Sequence, residues 1–594
     1  MKLTMFTKTL IGLVVAAVFW FGIQYVANNG SSAGKAEVPK TVAVAAMTAS
    51  AQVVAAPAVA LAPLPSKTLA QLTIPQMRMQ VMAWNAQMGL MLANGGPTTT
   101  AGSLLTTNGA NLQLIREDDC GKMQASLLAF ATELKKNPQP TNGAHFVIVM
   151  GDGSAAFLAG VNPQLAKIGQ EYQAEVIGAT GFSNGEDKFL GPAAWKENPS
   201  LARGGVVVGV LRDGDWNIAL KWAGDNGIKN NPDETTYDPD ALNWIAANDY
   251  IDAAQKFVAG ACETRKIVHG GKVTTEKQPH VCPSGVVTWT PGDVTAAKNR
   301  GVVVSILSTK ENIYQMPAAI IGIRKWNTEN AAEVSGLLAG IGQAGDQIKS
   351  YPAALHAASE VSAVVYKEET AAYWEKYFVG VTEPDKNGVA IELGGSRANN
   401  LADMKHLFGL DEPGKTSLYA DVYAAFGDIV VQQYPKLVPS YPKAETVINT
   451  TYLQMALAKA PITTVAELPK YTGAPITTVT ASKEWNITFK TGSAEFTPDA
   501  TKELNKVRQN LRGSKFIIDL QGHTDNTGNS ANNMVLSERR ANAVKSWLMS
   551  QSLEDFPAYR LSAHGFGDSK PIGDNATESG RSVNRRVTIV QGTN

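Results

Sequence analysis

The sequence has no excess of charge of either sign, and it has few histidines. Lys and Arg together number 53, as do Asp and Glu, so the formal net charge is 0 at pH 7. A chain without a basic surplus gives no electrostatic reason to expect nucleic acid or an anionic membrane surface as a partner. The seven histidines are scattered and no HExxH motif occurs, so we predict no metal site. We also predict no cofactor and no enzymatic activity.

The C-terminal region contains the most informative pattern. The segment FIIDLQGHTD, from Phe516 to Asp525, alternates side chains and ends in a polar turn, which is typical of a strand. A helix is predicted to follow, because Leu536, Val544 and Leu548 recur at helical spacing.

One arginine of this predicted helix is placed toward its packed face. Arg540 lies four residues from both Leu536 and Val544, and an arginine in that position needs an anionic partner. Asp525 at the strand end and Arg540 on the helix would form a pocket with opposite charges on its two walls. Such a pocket suits a zwitterion that has both an ammonium and a carboxylate group, and it binds its ligand without cleaving it.

Several motifs, in order, resemble the OmpA-like peptidoglycan-binding domain. They are FKTGSAEFTPDA (489–500), GHTDNTGNSANNMVLSERRANAVKSWL (522–548), GFGDSKPIGDN (565–575) and GRSVNRRV (580–587). The resemblance covers residues 483–594 and implies an α+β fold. It also implies that Asp525 and Arg540 hold the amino and carboxylate groups of diaminopimelate in the wall peptide, and that Asn533 and Arg585 belong to the same site. The alternative is that Asp525 and Arg540 form only a structural ion pair.

A long apolar run lies near the N-terminus. It extends from Leu10 to Ala27, follows two lysines, and precedes a stretch with no positive charge until Lys35. About 18 apolar-dominated residues are near the length needed to cross a bilayer, and the positive-inside rule places the rest of the chain outside the cytoplasm. We predict a cytoplasmic segment at 1–8 and an inner-membrane helix at 9–27, with a cleaved signal peptide as the alternative. In either case the wall-binding resemblance predicts a periplasmic protein.

The apolar run contains no acidic residue. Flagellar-type stator subunits also combine a membrane helix with an OmpA-like domain, but they carry an acid in that helix to conduct protons. We therefore do not expect this chain to drive a motor.

Two segments have the composition of linkers. Residues 28–72 are rich in Ala, Val, Pro and Ser and show no clear period, which indicates a tether. Residues 434–482 are rich in Pro and Thr, with a short helix predicted around 451–460. We predict that both segments are linkers.

Residues 73–433, between the two linkers, alternate short apolar runs with helical stretches. Polar turns bound the runs and helices follow them, which indicates parallel strands in an α/β domain. The runs end at Trp84, Ile115, Met150, Thr180, Leu211, Thr290, Leu307 and Ile323.

Polar segments follow several of these strands, as in GDGS (151–154), RDGDWN (212–217) and TPGD (290–293). Ligands bind at the carboxyl ends of parallel strands, where helices begin. The order of elements resembles the periplasmic solute-binding proteins of ABC importers, in the two-lobed class that includes nitrate, sulfonate and phosphate binders. The resemblance implies a second lobe at about 206–305, a small-molecule solute, and an ABC permease as a possible partner.

The same resemblance implies a ligand cleft between the lobes. Three tryptophans with several acids suit a cationic or organic ligand, whereas Arg212 and backbone amides suit an oxyanion, and the sequence does not choose between them. The alternative is that the tryptophans only pack and the domain binds nothing small. The cleft residues are Trp84, Asn85, Asp152, Ser154, Arg212, Asp213, Asp215, Trp216, Asn217, Trp289 and Asp293.

An enzyme of the nucleotide-dependent oxidoreductase class is a further alternative. GDGSAA (151–156) follows a strand and matches a loose form of the dinucleotide-binding fingerprint. That strand is not the first of the domain, however, and no acid ends the next strand to bind a ribose. We do not expect this activity.

The three cysteines fit an oxidising compartment. Cys262 and Cys282 flank a polar segment that is typical of a hairpin or long loop, and in the periplasm we expect them to form a disulfide. Cys120 is expected to be a buried thiol.

Together these features predict a two-lobed α/β solute-binding-like domain, followed by an OmpA-like domain and preceded by a transmembrane helix. The predicted function is a periplasmic protein, anchored in the inner membrane, that binds peptidoglycan and captures or senses a small solute. The alternative is a structural envelope tether whose middle domain is a protein-interaction module.

Overall fold

The computed structural model describes residues 59–411, 414–460, 462, 464–473 and 475–594. The segment predicted to be cytoplasmic, the N-terminal apolar run and most of the first linker lie outside the described residues. Among the helices that are described, none combines the length and the apolar character needed to cross a bilayer.

The described chain alternates strands and helices. The strands are β1 (Met77–Val81), β2 (Leu112–Arg116), β3 (Phe146–Met150), β4 (Ala174–Ser183), β5 (Lys188–Gly191), β6 (Val206–Gly209), β7 (Lys229–Asn230), β8 (Thr236–Tyr237), β9 (Ala241–Ala246), β10 (Glu263–His269), β11 (Lys272–Val281), β12 (Gly285–Thr288), β13 (Val304–Ser308), β14 (Pro317–Ile323), β15 (Val381–Pro384), β16 (Ala390–Leu393), β17 (Ser396–Ala398), β18 (Thr478–Trp485), β19 (Ile517–Gly522), β20 (Leu561–Gly565) and β21 (Val587–Thr593). The helices are α1 (Met88–Asn94), α2 (Leu104–Thr107), α3 (Cys120–Leu134), α4 (Ser154–Leu165), α5 (Ala193–Glu197), α6 (Gly214–Asp225), α7 (Tyr250–Ala259), α8 (Gly292–Asn299), α9 (Arg324–Glu329), α10 (Ala331–Ser350), α11 (Pro352–Tyr366), α12 (Ala371–Val379), α13 (Leu401–Leu407), α14 (Leu418–Gln433), α15 (Ala444–Val447), α16 (Thr451–Lys459), α17 (Ala500–Arg512), α18 (Ser530–Gln551) and α19 (Glu578–Asn584).

Lobe 1 is built on a six-stranded sheet in the order β17-β4-β14-β3-β1-β2. Strand β1 is parallel to β2 and β3, whereas β14 is antiparallel to β3 and β4. The sheet is therefore mixed and not purely parallel. Strands β3 and β14 are buried along their whole length, which explains why they read as continuous apolar runs and not as alternating patterns.

Lobe 2 has its own six-stranded sheet in the order β13-β5-β12-β6-β9-β7. The chain passes from lobe 1 into lobe 2 between β4 and β5 and returns between β13 and β14. Lobe 2 thus begins at β5, before the predicted boundary near residue 206. Strand β5 is only four residues long and begins with a lysine, so its apolar run is too short to be recognised in the sequence.

Parts of both predicted linkers pack against lobe 1. Within 434–482, helix α16 buries Tyr452 and Leu453. In the first linker, the backbone N–H of Ala62 donates to Oε1 of Gln347 on α10 at 2.9 Å. The Pro-rich composition of these segments suggested free chain, but some of their side chains, such as Tyr452 and Leu453, are buried against lobe 1, whereas others, such as Leu69 and Val465, remain exposed.

The C-terminal domain has a four-stranded sheet in the order β18-β21-β19-β20, covered by α17 and α18, and a core of its own. It lies against both lobes. The backbone N–H of Tyr314 in lobe 1 donates to the carbonyl of Gly513 at 3.1 Å. Asn510 of α17 donates through Nδ2 to Oδ1 of Asp225, the last residue of α6 in lobe 2, at 3.1 Å.

Candidate functional sites

A cavity of about 720 Å³ opens in the C-terminal domain between the end of β19 and helices α18 and α19. All four residues predicted to bind the wall line it. They are Asp525, Asn533, Arg540 and Arg585. The strand carries its acid to the sheet edge, while the long helix α18 places Asn533 and Arg540 two turns apart on one buried face.

Asp525 is held as a carboxylate. Its Oδ1 accepts from the backbone N–H of Thr527 at 2.9 Å, and its Oδ2 accepts from Nη1 of Arg585 at 2.6 Å. Burial alone would raise the pKa of Asp525, but the hydrogen bonds from Arg585 and Thr527 lower it overall. Asn533 fixes the loop, because its Nδ2 donates to the carbonyls of Asp525 and Thr527 at 3.3 and 3.2 Å.

Arg540 has no carboxylate partner among the described residues. Its Nε donates to the backbone carbonyl of Ser493 at 3.0 Å, and its guanidinium lies 5.0 Å from the ring centre of Phe489. Burial, and then the positive charge of Arg585, lower the pKa of Arg540. The alternative of a structural ion pair between Asp525 and Arg540 is not what the structure shows, because Asp525 pairs with Arg585 instead. The cavity therefore presents a held carboxylate and a guanidinium whose terminal nitrogens are not used by an acid.

The predicted cleft lies where the two lobes meet, and the lobes are in contact there. Trp289 of lobe 2 donates through Nε1 to the carbonyl of Ala83 in lobe 1 at 3.0 Å. Asn217 at the start of α6 donates through Nδ2 to the carbonyl of Asp152 in lobe 1 at 3.3 Å. These side chains are almost fully buried, so the cleft is closed over them.

Acids dominate the interior of this contact. Trp84 donates through Nε1 to Oδ2 of Asp187 at 2.9 Å, and Glu186 accepts from the backbone N–H of Asn85 at 3.3 Å. Burial raises the pKa of Asp187 to about 6. Burial, and then the charge of the adjacent Asp187, raise the pKa of Asp215 well above its usual range.

Two predicted cleft residues on lobe 2 lie away from these acids. Arg212 is partly exposed, where its guanidinium lies 3.5 Å from Glu234 and 5.7 Å from the ring centre of Tyr434. Trp216 packs on the same tyrosine, with ring centres 4.7 Å apart. The spacing of RDGDWN predicted both at a strand end, but α6 begins at Gly214, and both Arg212 before it and Trp216 within it lie against Tyr434.

Three further predicted residues are used for local structure. Ser154 donates through Oγ to the carbonyl of Gly151 at 2.5 Å. Asp213 caps α6 by accepting from the N–H of Gly214 at 2.8 Å, and burial raises its pKa to about 6. Asp293 forms a buried ion pair with Lys188 at 2.5 Å.

Sequence reasoning missed the segment GEDK, which leads from β4 into Lys188, the first residue of β5. Glu186, Asp187 and Lys188 are all buried there, and the two acids stand beside predicted cleft residues. The signal was present, because three adjacent charged residues rarely fill a short connection between two apolar runs unless they have partners. It was overlooked because β5 itself was not recognised.

Some segments match catalytic motifs in letters alone. Gly409 to Thr416 reads GxxxxGKT, but it follows helix α13 and not a strand, so it lacks the setting of a phosphate-binding loop. Gly181 to Gly185 reads GxSxG, but its Ser183 hydroxyl is paired with the hydroxyl of Thr309 at 2.6 Å. The described part of the chain places no histidine next to that serine.

The cysteines occupy two environments. Cys262 and Cys282 form a disulfide that joins the two ends of the β10–β11 hairpin. Cys120 is a free thiol at the start of α3. Its burial, and then the negative charge of Asp213, raise its pKa well above the usual range, so it is not a reactive thiolate.

Comparisons with known proteins agree on the C-terminal region. Residues 488–585 match the OmpA family. The outer-membrane lipoprotein YfiB of Pseudomonas aeruginosa is 40% identical over 94 residues, which are 16% of this chain and 54% of that protein. The probable lipoprotein YiaD of Escherichia coli is 37% identical over 105 residues, 18% of this chain and 47% of that protein. The chain thus spans about half the length of these relatives.

Two solved structures are similar to different parts of the chain. The cell wall anchor of the T6SS from Pseudomonas aeruginosa covers 18% of this chain and 75% of its own, with 30% identity and a TM-score of 0.16. The periplasmic nitrate-binding protein NrtA from Synechocystis PCC 6803 covers 66% of this chain and 90% of its own, with 10% identity and a TM-score of 0.43. The second likeness is too distant to indicate a ligand. The C-terminal region of this chain is an OmpA-like domain.

Proposed function

We propose that this protein is a noncatalytic periplasmic protein that binds peptidoglycan through the cavity of its C-terminal domain. In this proposal the middle domain captures or senses a small solute. One observation carries the wall-binding claim. The cavity places the Asp525 carboxylate and the Arg540 guanidinium on its walls without pairing them to each other.

This arrangement suits the zwitterionic end of diaminopimelate. An ammonium group would bind the Asp525 carboxylate, and a carboxylate would bind the terminal nitrogens of Arg540 with charge-assisted hydrogen bonds. Arg585 keeps Asp525 ionised and oriented, and the ring of Phe489 supports the Arg540 guanidinium. The relatives named lipoproteins of the outer membrane support an envelope location for the same domain.

The test is cosedimentation of the full-length protein with purified peptidoglycan sacculi. We expect Asp525→Ala and Arg540→Ala to lose most binding, and free diaminopimelate to compete with the wild type. The matched control is Arg539→Ala, because Arg539 is the exposed neighbour of Arg540 on the same helix. Retention of binding by both cavity variants, or equal loss in the control, would overturn the assignment.

For the chain before residue 59 we propose an inner-membrane anchor at 9–27, with a cleaved signal peptide as the alternative. An ABC permease is the corresponding partner for a solute receptor. Fractionation of cells, with the apparent mass of the mature protein, tests the anchor. A mature chain that lacks residues 1–27 and washes off membranes would favour signal cleavage.

The second candidate function is a structural envelope tether whose middle domain contacts another protein. The contact of the C-terminal domain with both lobes favours this function. A receptor attached through flexible linkers would not need such contacts. Native mass spectrometry of the full-length protein, purified without refolding, separates the two. A bound small molecule supports the receptor, whereas an empty cleft and no thermal shift across a metabolite panel support the tether.

A further inference from the structure

Buried hydrogen-bond acceptors outnumber donors where the two lobes meet. Asp152, Asp187 and Asp215 each have one carboxylate oxygen with no hydrogen-bond partner among the described residues, and Asn217 has its amide oxygen in the same state. All four residues are at most 1% exposed. Asn85, also fully buried, has neither amide atom paired. Buried polar atoms are nearly always paired, so this group points to a ligand that supplies donors.

The three acids belong to one cluster. The carboxyl groups of Asp187 and Asp215 lie within hydrogen-bonding reach of each other, and Asp152 and Asp213 are close enough to raise the pKa of Asp215 further. Trp84 contacts the cluster through its bond to Asp187. Several carboxylates enclosed together repel one another unless a positive charge or protons lie between them.

No basic side chain in the described chain bonds to the unpaired oxygens. Lys188, the nearest in sequence, donates to Asp293 at 2.5 Å and to the carbonyl of Glu392 at 3.1 Å. Arg116 is held by Asp118 and Glu368, at 2.8 and 3.1 Å. In the described chain the acids are therefore compensated by protons that they share, as between Asp187 and Asp215, or by the positive charge of a ligand.

We propose that the interlobe cleft binds an organic cation with several N–H donors, an amine or a guanidine, through Asp152, Asp187 and Asp215. This inference rests on the proposed receptor function and specifies its ligand class. The N–H groups of such a ligand would pair with the three carboxylate oxygens and with the amide oxygens of Asn85 and Asn217. An oxyanion of the nitrate, sulfate or phosphate type would meet the same oxygens as like charges.

The spread of the acids argues for an extended ligand and against a metal ion. A metal needs its ligand atoms close together. Among the described residues, His406, Asp411 and Glu554 have ligand atoms that all lie within 4.8 Å of one another. The cleft acids do not form such a group. A cavity of about 500 Å³ lined by Gly153 and Asp213 lies next to the cluster, but Asp152, Asp187 and Asp215 do not line it, so a ligand reaches these acids only when the lobes part.

The experiment is thermal unfolding, followed by calorimetric titration, of the full-length protein at pH 7.5. The probes are putrescine, spermidine and arginine, with nitrate, sulfate and phosphate as anions and calcium as a metal. We expect at least one amine or guanidine to raise the unfolding midpoint by several degrees. We expect Asp215→Asn and Asp187→Asn, which preserve shape, to weaken its binding at least tenfold. Asp240→Asn, an exposed acid of lobe 2, is the matched control and is expected to bind normally.

The outcomes separate this inference from the proposed function. Binding of an anion or of a neutral solute, with no response to amines, overturns the cation and leaves the receptor intact. Amine binding that is unchanged in both variants overturns the site. No response to any probe, together with no bound mass in native mass spectrometry, overturns the receptor function itself. Wall binding is measured separately and is unaffected by any of these results.

Discussion

Both carboxylate oxygens of Asp421 accept hydrogen bonds from the guanidinium of Arg508, at 3.0 Å from Nε and 2.8 Å from Nη2. Asp421 lies on α14 of lobe 1 and Arg508 lies on α17 of the C-terminal domain. Arg512 also donates to Asp421, at 3.0 Å, and to Asp555 at 2.6 Å. The OmpA-like domain is therefore joined to lobe 1 by a buried ionic network, and not only by the chain that connects them.

The first prediction concerns this network. Asp421→Ala leaves two buried guanidinium groups without their shared carboxylate, and breaking a buried ion pair in this way costs about 3–5 kcal/mol. We expect the free energy of unfolding, measured with urea, to fall by that order and the C-terminal domain to become sensitive to proteolysis near residues 461–477. Asp428→Ala removes an exposed acid of the same helix and is the control. Equal stability of the two variants would show that the network contributes nothing to docking.

The second prediction concerns the wall-binding cavity. Arg585 helps to hold the pKa of Asp525 below its usual range. Arg585→Gln removes that charge, so Asp525 becomes protonated at a higher pH and loses its attraction for an ammonium group. As the pH falls from 7 toward 4, we expect the variant to release sacculi at a higher pH than the wild type does. Identical release curves for the two proteins would rule out a role of Arg585 in keeping Asp525 ionised.

The third prediction concerns the acids of the cleft. Burial raises the pKa of Asp187 from 3.8 to about 6, so the folded state holds this proton more tightly than the unfolded state does. The resulting stability is fully present below about pH 4 and is lost as the pH rises through about 6. In the ligand-free protein at pH 7.5, Asp215→Asn removes a buried acid whose pKa is raised well above its usual range. Folding then no longer requires this acid to take up a proton or to bury its charge, so we expect the free energy of unfolding to rise by about 1–3 kcal/mol.

The measurement is the difference in stability between Asp215→Asn and the wild type at pH 4.5 and at pH 7.5. The difference should be larger at the higher pH, because the unfolded wild type releases the Asp215 proton more completely there, whereas asparagine has no proton to release. A variant that is less stable than the wild type at pH 7.5 would contradict the prediction. The gain in stability is paired with the loss of ligand binding, which is typical of residues kept for function and not for folding.

The fourth prediction concerns the disulfide. Cys262 and Cys282 are 20 residues apart, and closing a loop of that size contributes about 3 kcal/mol in the chain-entropy model. We expect the double variant Cys262→Ser and Cys282→Ser to unfold at a lower temperature than the wild type. Cys120→Ser is the control with the disulfide intact. A reductant should lower the unfolding midpoint of the wild type but not that of the double variant. Any other pattern would mean that the hairpin is stable without the disulfide.

The elements that the sequence predicted well are those whose apolar runs are long or whose motifs are local. The continuous runs of β3 and β14, and the turn that carries Asp525, follow from neighbours in the chain. The cleft was predicted only in part, because the direction of each side chain depends on packing between lobes. Trp216 packs on Tyr434, and Asp187 immediately precedes β5, a strand too short to recognise in the sequence. Arg508 and Arg512, the partners of Asp421, lie more than 80 residues away in the sequence, and no local sequence pattern predicts this pairing.

The last prediction follows from helix α6, which connects the two candidate sites. Its first turn carries Asp215 in the cleft, and its last residue, Asp225, accepts from Nδ2 of Asn510 in the C-terminal domain at 3.1 Å. Because the C-terminal domain also bonds to lobe 1, it bridges the two lobes and favours the closed cleft. Asn510→Ala removes one contact of that bridge without touching the cleft, while Lys483 still lies 3.5 Å from Asp225 and Asn226 still donates to the carbonyl of Thr480 at 3.2 Å.

We expect Asn510→Ala to weaken solute binding by less than tenfold. A hydrogen bond from a neutral donor to a charged group contributes about 1.5–3 kcal/mol at most, and only part of that free energy opposes opening of the cleft. Hydrogen exchange in α6 should rise in the ligand-free variant and return to the wild-type level at saturating ligand. Lys502→Ala, an exposed change on the same helix, should alter neither quantity. A change of hydrogen exchange in α17 but not in α6 would contradict this prediction. A contact that stabilises the closed cleft must, when it is removed, increase exchange in the helix that contains Asp215. The C-terminal domain would then be attached to the receptor without affecting its cleft.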